Sequence, residues 1–241
     1  MKILAVETAT AVCGVALIED ETPRSERSLS VPHVHSEKLV TLIDEVLRET
    51  QLSLQTIDGI AVSAGPGSFT GLRIGFSTVK GLAFAHDIPL VAVPTLKALA
   101  YNVIRHRIFK PEDIVLPLID ARREDVYAAQ YKVQENNLAE LMEVRICSLS
   151  EVYQHLPKQE RVIVLGDGAE KFRNFLKKEH ASDSTRFINP ESLHCVCSAS
   201  SVGIIGGMML RNGDVAETAS LEPLYIKDFY TTMKRQQAQV Q

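Results

Sequence analysis

The side chains in this sequence that could do chemistry are few, and most of them stand alone. His33 and His35 form an H-x-H pair just ahead of a helix-like run. Two imidazoles make only part of a metal site, and further ligands would have to come from elsewhere in the chain. Cys13, Cys147, Cys195 and Cys197 include a C-x-C but no C-x-x-C. Neither a structural zinc site nor a thioredoxin-like pair is signalled, and four reduced thiols are the expectation. Gly166-Asp167-Gly168 joins a strand-like to a helix-like stretch, where backbone N–H groups can meet a phosphate. A G-x-G this short more often only lets the chain reverse. Glu7 and Thr8 end the first apolar run, where they can satisfy the backbone of the turn that follows. Asp120, Arg122, Arg123, Glu124 and Asp125 are a mixed charge run, read as a solvated turn or an interaction rim. There is no P-loop, no H-E-x-x-H and no G-x-S-x-G. The seven histidines are too scattered to indicate a triad.

The elements that must position these residues centre on Ile57–Leu99. Ile57–Val62 reads as a strand buried on both faces. Gly65-Pro66-Gly67 turns the chain, and Ser68 or Thr70 is placed to cap a helix. Gly67, Gly71 and Gly75 recur every four residues on one side of that helix, beside an apolar strip of Leu72, Phe76, Val79 and Ala83. Each glycine weakens a soluble helix by about 1 kcal/mol relative to alanine, so the repeat implies another backbone close by, in this chain or a partner. Upstream, Lys2–Glu7, Val12–Ile18 and Arg24–Val31 read as strands, the last nearer an edge. Ser36–Glu49 reads as a helix capped by Ser36, with Leu39, Ile43, Val46 and Leu47 as its core stripe and Val40 on the flank. Pro89–Val93 is strand-like and Thr95–Arg107 helix-like. The pattern then repeats. Strands are expected at Ile114–Ile119, Val126–Val133, Met142–Cys147 and Arg161–Leu165. Helices are expected after a Ser148/Glu151 capping box, over Ala169–Glu179 and over Ala199–Leu210, with Asn212-Gly213 ending the last. The tail after Lys227 lacks hydrophobic periodicity and is expected to fray.

This alternation predicts two α/β lobes with parallel sheet segments. The expected division is residues 1–104 and 105–212, with 213–241 returning to the first lobe. A chain of 241 residues, 45% apolar and 23% charged, is long enough for both. A net charge of −4 and a pI near 6.0 give no overall basic footprint for nucleic acid, which disfavours independent tRNA binding. Met1-Lys2 runs directly into ILAVE, so no leader is expected. No apolar run approaches the ~20 residues that span a bilayer, and a cytoplasmic location is expected.

SAGPGSFTGLRIG (63–75), followed by GLAFAHDIPLVAVPTL (81–96), closely resembles the bacterial TsaB (YeaZ) family, and the resemblance runs the length of the chain. It implies a duplicated actin/hexokinase/Hsp70-like fold of two lobes and a part in making the threonylcarbamoyladenosine modification of tRNA. The opening VETATAVCGVAL is similar in form to a superfamily hairpin whose acidic residue and hydroxyls meet phosphate. Glu7 and Thr8, with Gly166 and Gly168, are therefore the candidate cofactor-binding residues, although no particular cofactor is expected. The catalytic relative of the family, TsaD, carries an H-x-x-x-H metal motif where this chain reads PTLKALA. Thr95 and Leu99 stand in the two histidine positions. TsaD also carries an aspartate ligand where this chain reads CSASSVG, with Ala199 in its place. No metal is expected.

The reading that follows is a non-catalytic interaction protein. By resemblance it pairs through its N-terminal lobe with itself or with a TsaD-like subunit, joined by a TsaE-like ATPase, and meets tRNA only indirectly. The interface is carried onto Leu39, Val40 and Ile43 of the first helix and Gly71, Leu72, Gly75, Phe76 and Val79 of the second. On this reading a leucine at Gly75 would block pairing and leave a folded monomer. The same residues can equally line the lobe's own core, because an amphipathic helix buries its apolar stripe either way. Competing readings are a glycoprotease-like metallopeptidase, a nucleotide-binding enzyme or a small-molecule kinase of the same superfamily.

Overall fold

A computed structural model describes residues 1–31, 34–135, 137–190 and 195–226. His33 of the H-x-H pair and the tail from residue 227 lie outside the described residues. The opening runs form an antiparallel meander of β1 (Lys2–Glu7), β2 (Cys13–Glu19) and β3 (Thr22–Leu29). Helix α1 (His35–Thr50) leads to β4 (Gly59–Ser63), which pairs in parallel with β1. Helix α2 (Phe69–His86) leads to β5 (Leu90–Val93), parallel to β4, and α3 (Thr95–Arg105) closes the first half. The second half repeats the sequence of elements. A meander of β6 (Ile114–Asp120), β7 (Asp125–Gln134) and β8 (Asn137–Ser148) is followed by α4 (Leu149–Gln154). Then come β9 (Val162–Leu165), α5 (Ala169–Glu179), β10 (Phe187–Ile188) and α6 (Ala199–Arg211).

The two sheets have the orders β3-β2-β1-β4-β5 and β8-β7-β6-β9-β10, the same topology twice. This is the duplicated two-lobed α/β fold that the resemblance implied. Strands β1, β2, β4, β6 and β9 lie inside their sheets and are buried on both faces. Polar β3, TPRSERSL, takes an edge, where one side can meet water.

Each sheet is covered by helices on both faces, and the helices cross between lobes. On the first sheet, α1 and α2 bury Leu39, Ile43, Phe76 and Val79 against Leu4, Val6, Ile60 and Val62. The opposite face is covered by α6, which packs Val202 and Ile205 on Ala5, Ala16 and Ala61. On the second sheet, α4 and α5 supply Val152, Phe172 and Leu176, and α3 covers the other face with Leu96, Leu99 and Val103. A division of the chain at residue 104 therefore does not coincide with the packing, because the last helix of each half seals the other half's sheet. Glu26 of β3 fastens the crossing. Its carboxylate accepts from Arg105 on α3 and from the hydroxyls of Ser198 and Ser200 at the start of α6. Burial alone would raise this carboxyl, but the two hydroxyls and the Arg105 charge outweigh it and hold the group below its ordinary value.

Residues 213–226 run back over the first lobe. Ala216 N–H donates to Leu90 O at the exposed edge of β5, and Leu224 N–H donates to Ala64 O. Lys80 of α2 donates its ammonium to the carbonyls of Ala219 and Leu221. The helix starts show how tertiary context adjusts local signals. Ser68 caps α2, its hydroxyl accepting from Gly71 N–H, while Thr70 lies inside the helix. The Ser148/Glu151 capping box forms on α4. Ser36, however, does not cap α1. That helix begins one residue earlier, after Val34, because buried His35 places Nε2 3.2 Å from both Thr10 O and Val12 O.

Candidate functional site

The glycine side of α2 meets the loop between β1 and β2. A Cβ added at Gly67 would lie 2.0 Å from Ala9 O, one at Gly71 2.1 Å from Thr8 O, and one at Gly75 2.2 Å from Thr8 Oγ1. The backbone whose approach the repeat implied therefore belongs to this chain. Ser68 N–H donates to Ala9 O at 2.6 Å, so the turn before α2 grips the same loop. A leucine at Gly75 would run into Thr8, which corrects the expectation that this variant leaves a folded monomer.

Seven of the eight residues assigned to a partner interface lie inside their own lobe. Leu39, Ile43, Leu72, Phe76 and Val79 are core side chains, and Gly71 and Gly75 are buried against the β1–β2 loop. Val40 alone faces outward, 65% exposed. The two packed helices present one large apolar residue that the sequence reading passed over, Phe84 on α2, which is 87% exposed. Its signal was available. The core stripe 72-76-79-83 leaves position 84 about 100° off its axis, so Phe84 never belonged to the buried face.

The β1–β2 loop also holds the most perturbed carboxyl of this region. Glu7 and Thr8 are fully buried. Glu7 Oε1 accepts from Ala9 N–H at 2.7 Å, and Thr8 N–H donates to Ser63 Oγ at 3.2 Å. Burial pushes the Glu7 carboxyl up to about 7, although hydrogen bonds from Ala9, Ser63 and Thr10 pull the other way. Glu7 Oε2 and Thr8 Oγ1 are buried with no hydrogen-bond partner among the described residues. The pair is thus a proton-holding group and a hydroxyl with spare capacity, packed against Gly75.

The three positions that the resemblance set against metal ligands, Thr95, Leu99 and Ala199, do structural work here. Buried Thr95 accepts from Gly65 N–H at 2.9 Å through Oγ1, and its own N–H donates to Gly65 O, so it fixes the turn ahead of α2. Leu99 is fully buried and reaches within 2.9 Å of where a Gly166 Cβ would stand. Ala199, also buried, packs 3.5 Å from the equivalent point on Gly14. Among the described residues no group of three or more His, Cys, Asp or Glu is arranged to hold a metal ion.

Gly166 and Gly168 are likewise used for packing. A Cβ at Gly166 would lie 2.0 Å from Leu118 O and one at Gly168 2.9 Å from Leu118 Cβ. Between them Asp167 accepts from Asp120 N–H at 2.8 Å, and burial pushes its carboxyl up. In the charge run, Asp120 pairs with Lys171 at 2.5 Å. All four cysteines are free, and burial raises each thiol, Cys13 and Cys147 to about 11.

Comparison with known proteins supplies what the site geometry does not. The family model for TsaD, tRNA N6-adenosine threonylcarbamoyltransferase, matches residues 30–232. The chain is 38% identical over 138 residues to the tRNA threonylcarbamoyladenosine biosynthesis protein TsaB of Escherichia coli K12, covering 57% of this chain and 58% of that protein. It is 32% identical over 167 residues to the protein of the same description in Bacillus subtilis 168, covering 69% and 71%. The match thus spans a little over half the length of the first relative and about seven tenths of the second. The structure of YeaZ from Pseudomonas aeruginosa, 25% identical, superposes with a TM-score of 0.76 over 93% of this chain and 99% of that one.

Proposed function

The chain belongs to the TsaB (YeaZ) family of tRNA threonylcarbamoyladenosine biosynthesis proteins, and from that premise we propose that it serves as a non-catalytic partner of a TsaD-like transferase. The partner carries out the transfer of threonylcarbamoyl to the adenosine beside the anticodon. This chain supports that subunit, in the cytoplasm, together with a TsaE-like ATPase, and meets tRNA through the assembly. The observation that carries the reading is the state of the three ligand positions. Thr95 holds a turn, while Leu99 and Ala199 fill core space, so none is free to take up a ligand. No helix among the described residues is long and apolar enough to cross a membrane.

The pairing face is the outer side of α1 and α2. Buried Leu39, Ile43, Leu72, Phe76 and Val79 stiffen it from beneath, Gly71 and Gly75 let it sit on the β1–β2 loop, and Val40 and Phe84 meet the partner. Exposing an isolated Phe to this degree costs little, but two large apolar groups on adjoining helices are what a docking surface needs at its centre. The test is threonylcarbamoyladenosine formation on unmodified tRNA by purified partner proteins, with this chain present or omitted. Activity that requires the chain supports the role, and full activity without it removes the role.

A further inference from the structure

On the side of the molecule away from the glycine face of α2, the β2–β3 turn, the C-terminal half of α3 and Ile204 of α6 enclose an open-mouthed cavity of about 650 Å³. That volume is in the range of small-molecule sites. Its apolar wall includes Ile104, Phe109 and Ile204, Thr22 and Pro23 line it at the β2–β3 turn, and Glu21, Tyr101, Arg105 and Arg107 supply its charged and phenolic groups. Two of these groups are already partnered. Glu21 is paired with Arg211. Arg105 is bound by Glu26 and donates to Ser198 Oγ at 2.6 Å. Tyr101 is half-buried, and burial together with the Glu21 charge pushes its phenol up, so it stays a neutral donor. Its hydroxyl has no hydrogen-bond partner among the described residues. The remaining charge, the Arg107 guanidinium, has no ion-pair or hydrogen-bond partner among them either.

Arg107 also has a left-handed backbone, as Gln51 and Asp87 have after α1 and α2. Helix α3 ends with Arg107 N–H donating to Ile104 O and Ile108 N–H donating to Val103 O, and Arg107 has φ of 55°. This hydrogen-bond pattern places it at the left-handed residue after the helix, where glycine is the usual occupant. The sequence thus accepts a strained arginine at a glycine position, and the side chain lines a cavity whose other charges are compensated.

We propose that this cavity binds a small organic monoanion, a carboxylate on an apolar or aromatic body. The carboxylate pairs with Arg107 and accepts from Tyr101, and the body rests on Ile104, Phe109 and Ile204. One uncompensated cation selects a single negative charge, and the apolar wall selects the rest of the molecule. A neutral amide of the same shape keeps the apolar contact but loses the charge-assisted hydrogen bonds.

The experiment titrates the full chain with benzoate, and in parallel with benzamide, following backbone amide shifts by NMR. Benzoate is expected to saturate, with shifts at Tyr101–Phe109 and Glu21–Pro23, and benzamide to bind about tenfold more weakly. The strained position provides a variant that should fold. Arg107→Gly suits the left-handed backbone, so its Tm is expected unchanged or raised while benzoate affinity falls about tenfold or more. Tyr101→Phe is expected to weaken benzoate several-fold and leave benzamide unaffected. No saturable benzoate binding, equal affinity for the two probes, or undiminished affinity in Arg107→Gly would each overturn the proposal.

Discussion

Gly71→Ala and Gly81→Ala place the same methyl group on the same helix, and the structure assigns them opposite signs. At Gly71 the new Cβ would lie 2.1 Å from Thr8 O, a backbone atom of a loop whose neighbours are themselves buried. Carbon–oxygen contacts settle near ~3.5 Å, so the helix start or the loop must retreat by roughly 1.4 Å. Overpacking of this kind costs about 1–3 kcal/mol. Alanine returns at most about 1 kcal/mol of helix propensity. The net expectation for Gly71→Ala is a loss of about 1–2 kcal/mol. At Gly81 nothing lies within 4 Å of the new Cβ and the residue is exposed, so only the propensity gain remains. Gly81→Ala should therefore stabilise by up to about 1 kcal/mol. Urea unfolding followed by far-UV circular dichroism reads both, and in a chain of this size each kcal/mol moves Tm by about 2–4 °C. If Gly71→Ala proved as stable as the parent yet failed to pair with the transferase, the stripe would face a partner, and the placement of the β1–β2 loop against it would be wrong.

Val40→Glu combined with Phe84→Glu should leave Tm nearly unchanged, because both side chains are largely exposed, and should weaken capture of a TsaD-like subunit about tenfold or more. Retained affinity in calorimetry would remove these two residues from the pairing face. Glu7 makes stability depend on pH. Its carboxyl is raised from 4.5 to about 7 in the folded chain, so between those values the folded state keeps a proton the unfolded state has released. Stability contributed by this group is full below 4.5, falls as pH rises to about 7 and is level above. Glu7→Gln should flatten that slope, worth about 3 kcal/mol at most across the window, and denaturant titrations at several pH values that superpose for the two proteins would contradict it. Thr95→Val removes the acceptor for buried Gly65 N–H and should cost about 1–3 kcal/mol, whereas Thr95→Ser keeps the oxygen and should cost less. A Thr95→Ser protein no more stable than Thr95→Val would refute the assignment of this stability to the hydroxyl.

The order of elements was legible in the linear sequence because each signal behind it is local. Unbroken apolar runs marked the central strands, polar TPRSERSL marked an edge, Ser148 and Glu151 marked a helix start, and the run from Ser63 to Gly75 carried the family likeness. The spacing of Gly67, Gly71 and Gly75 required a close neighbour on that side of the helix. What local spacing does not contain is the identity of the neighbour. Burial against Thr8 and Ala9 and burial against another protein leave the same period in the sequence, and only the position of the β1–β2 loop in space separates them. The same holds for Leu72, Phe76 and Val79, which read equally well as core or interface until the sheet is seen beneath them. It holds also for the exchange of α3 and α6 between lobes, since an amphipathic helix records that it covers something apolar and not which sheet that is. The shift of the Glu7 carboxyl belongs to tertiary structure for a further reason. It comes from the removal of water by residues distant in the chain, and no neighbour in sequence announces it.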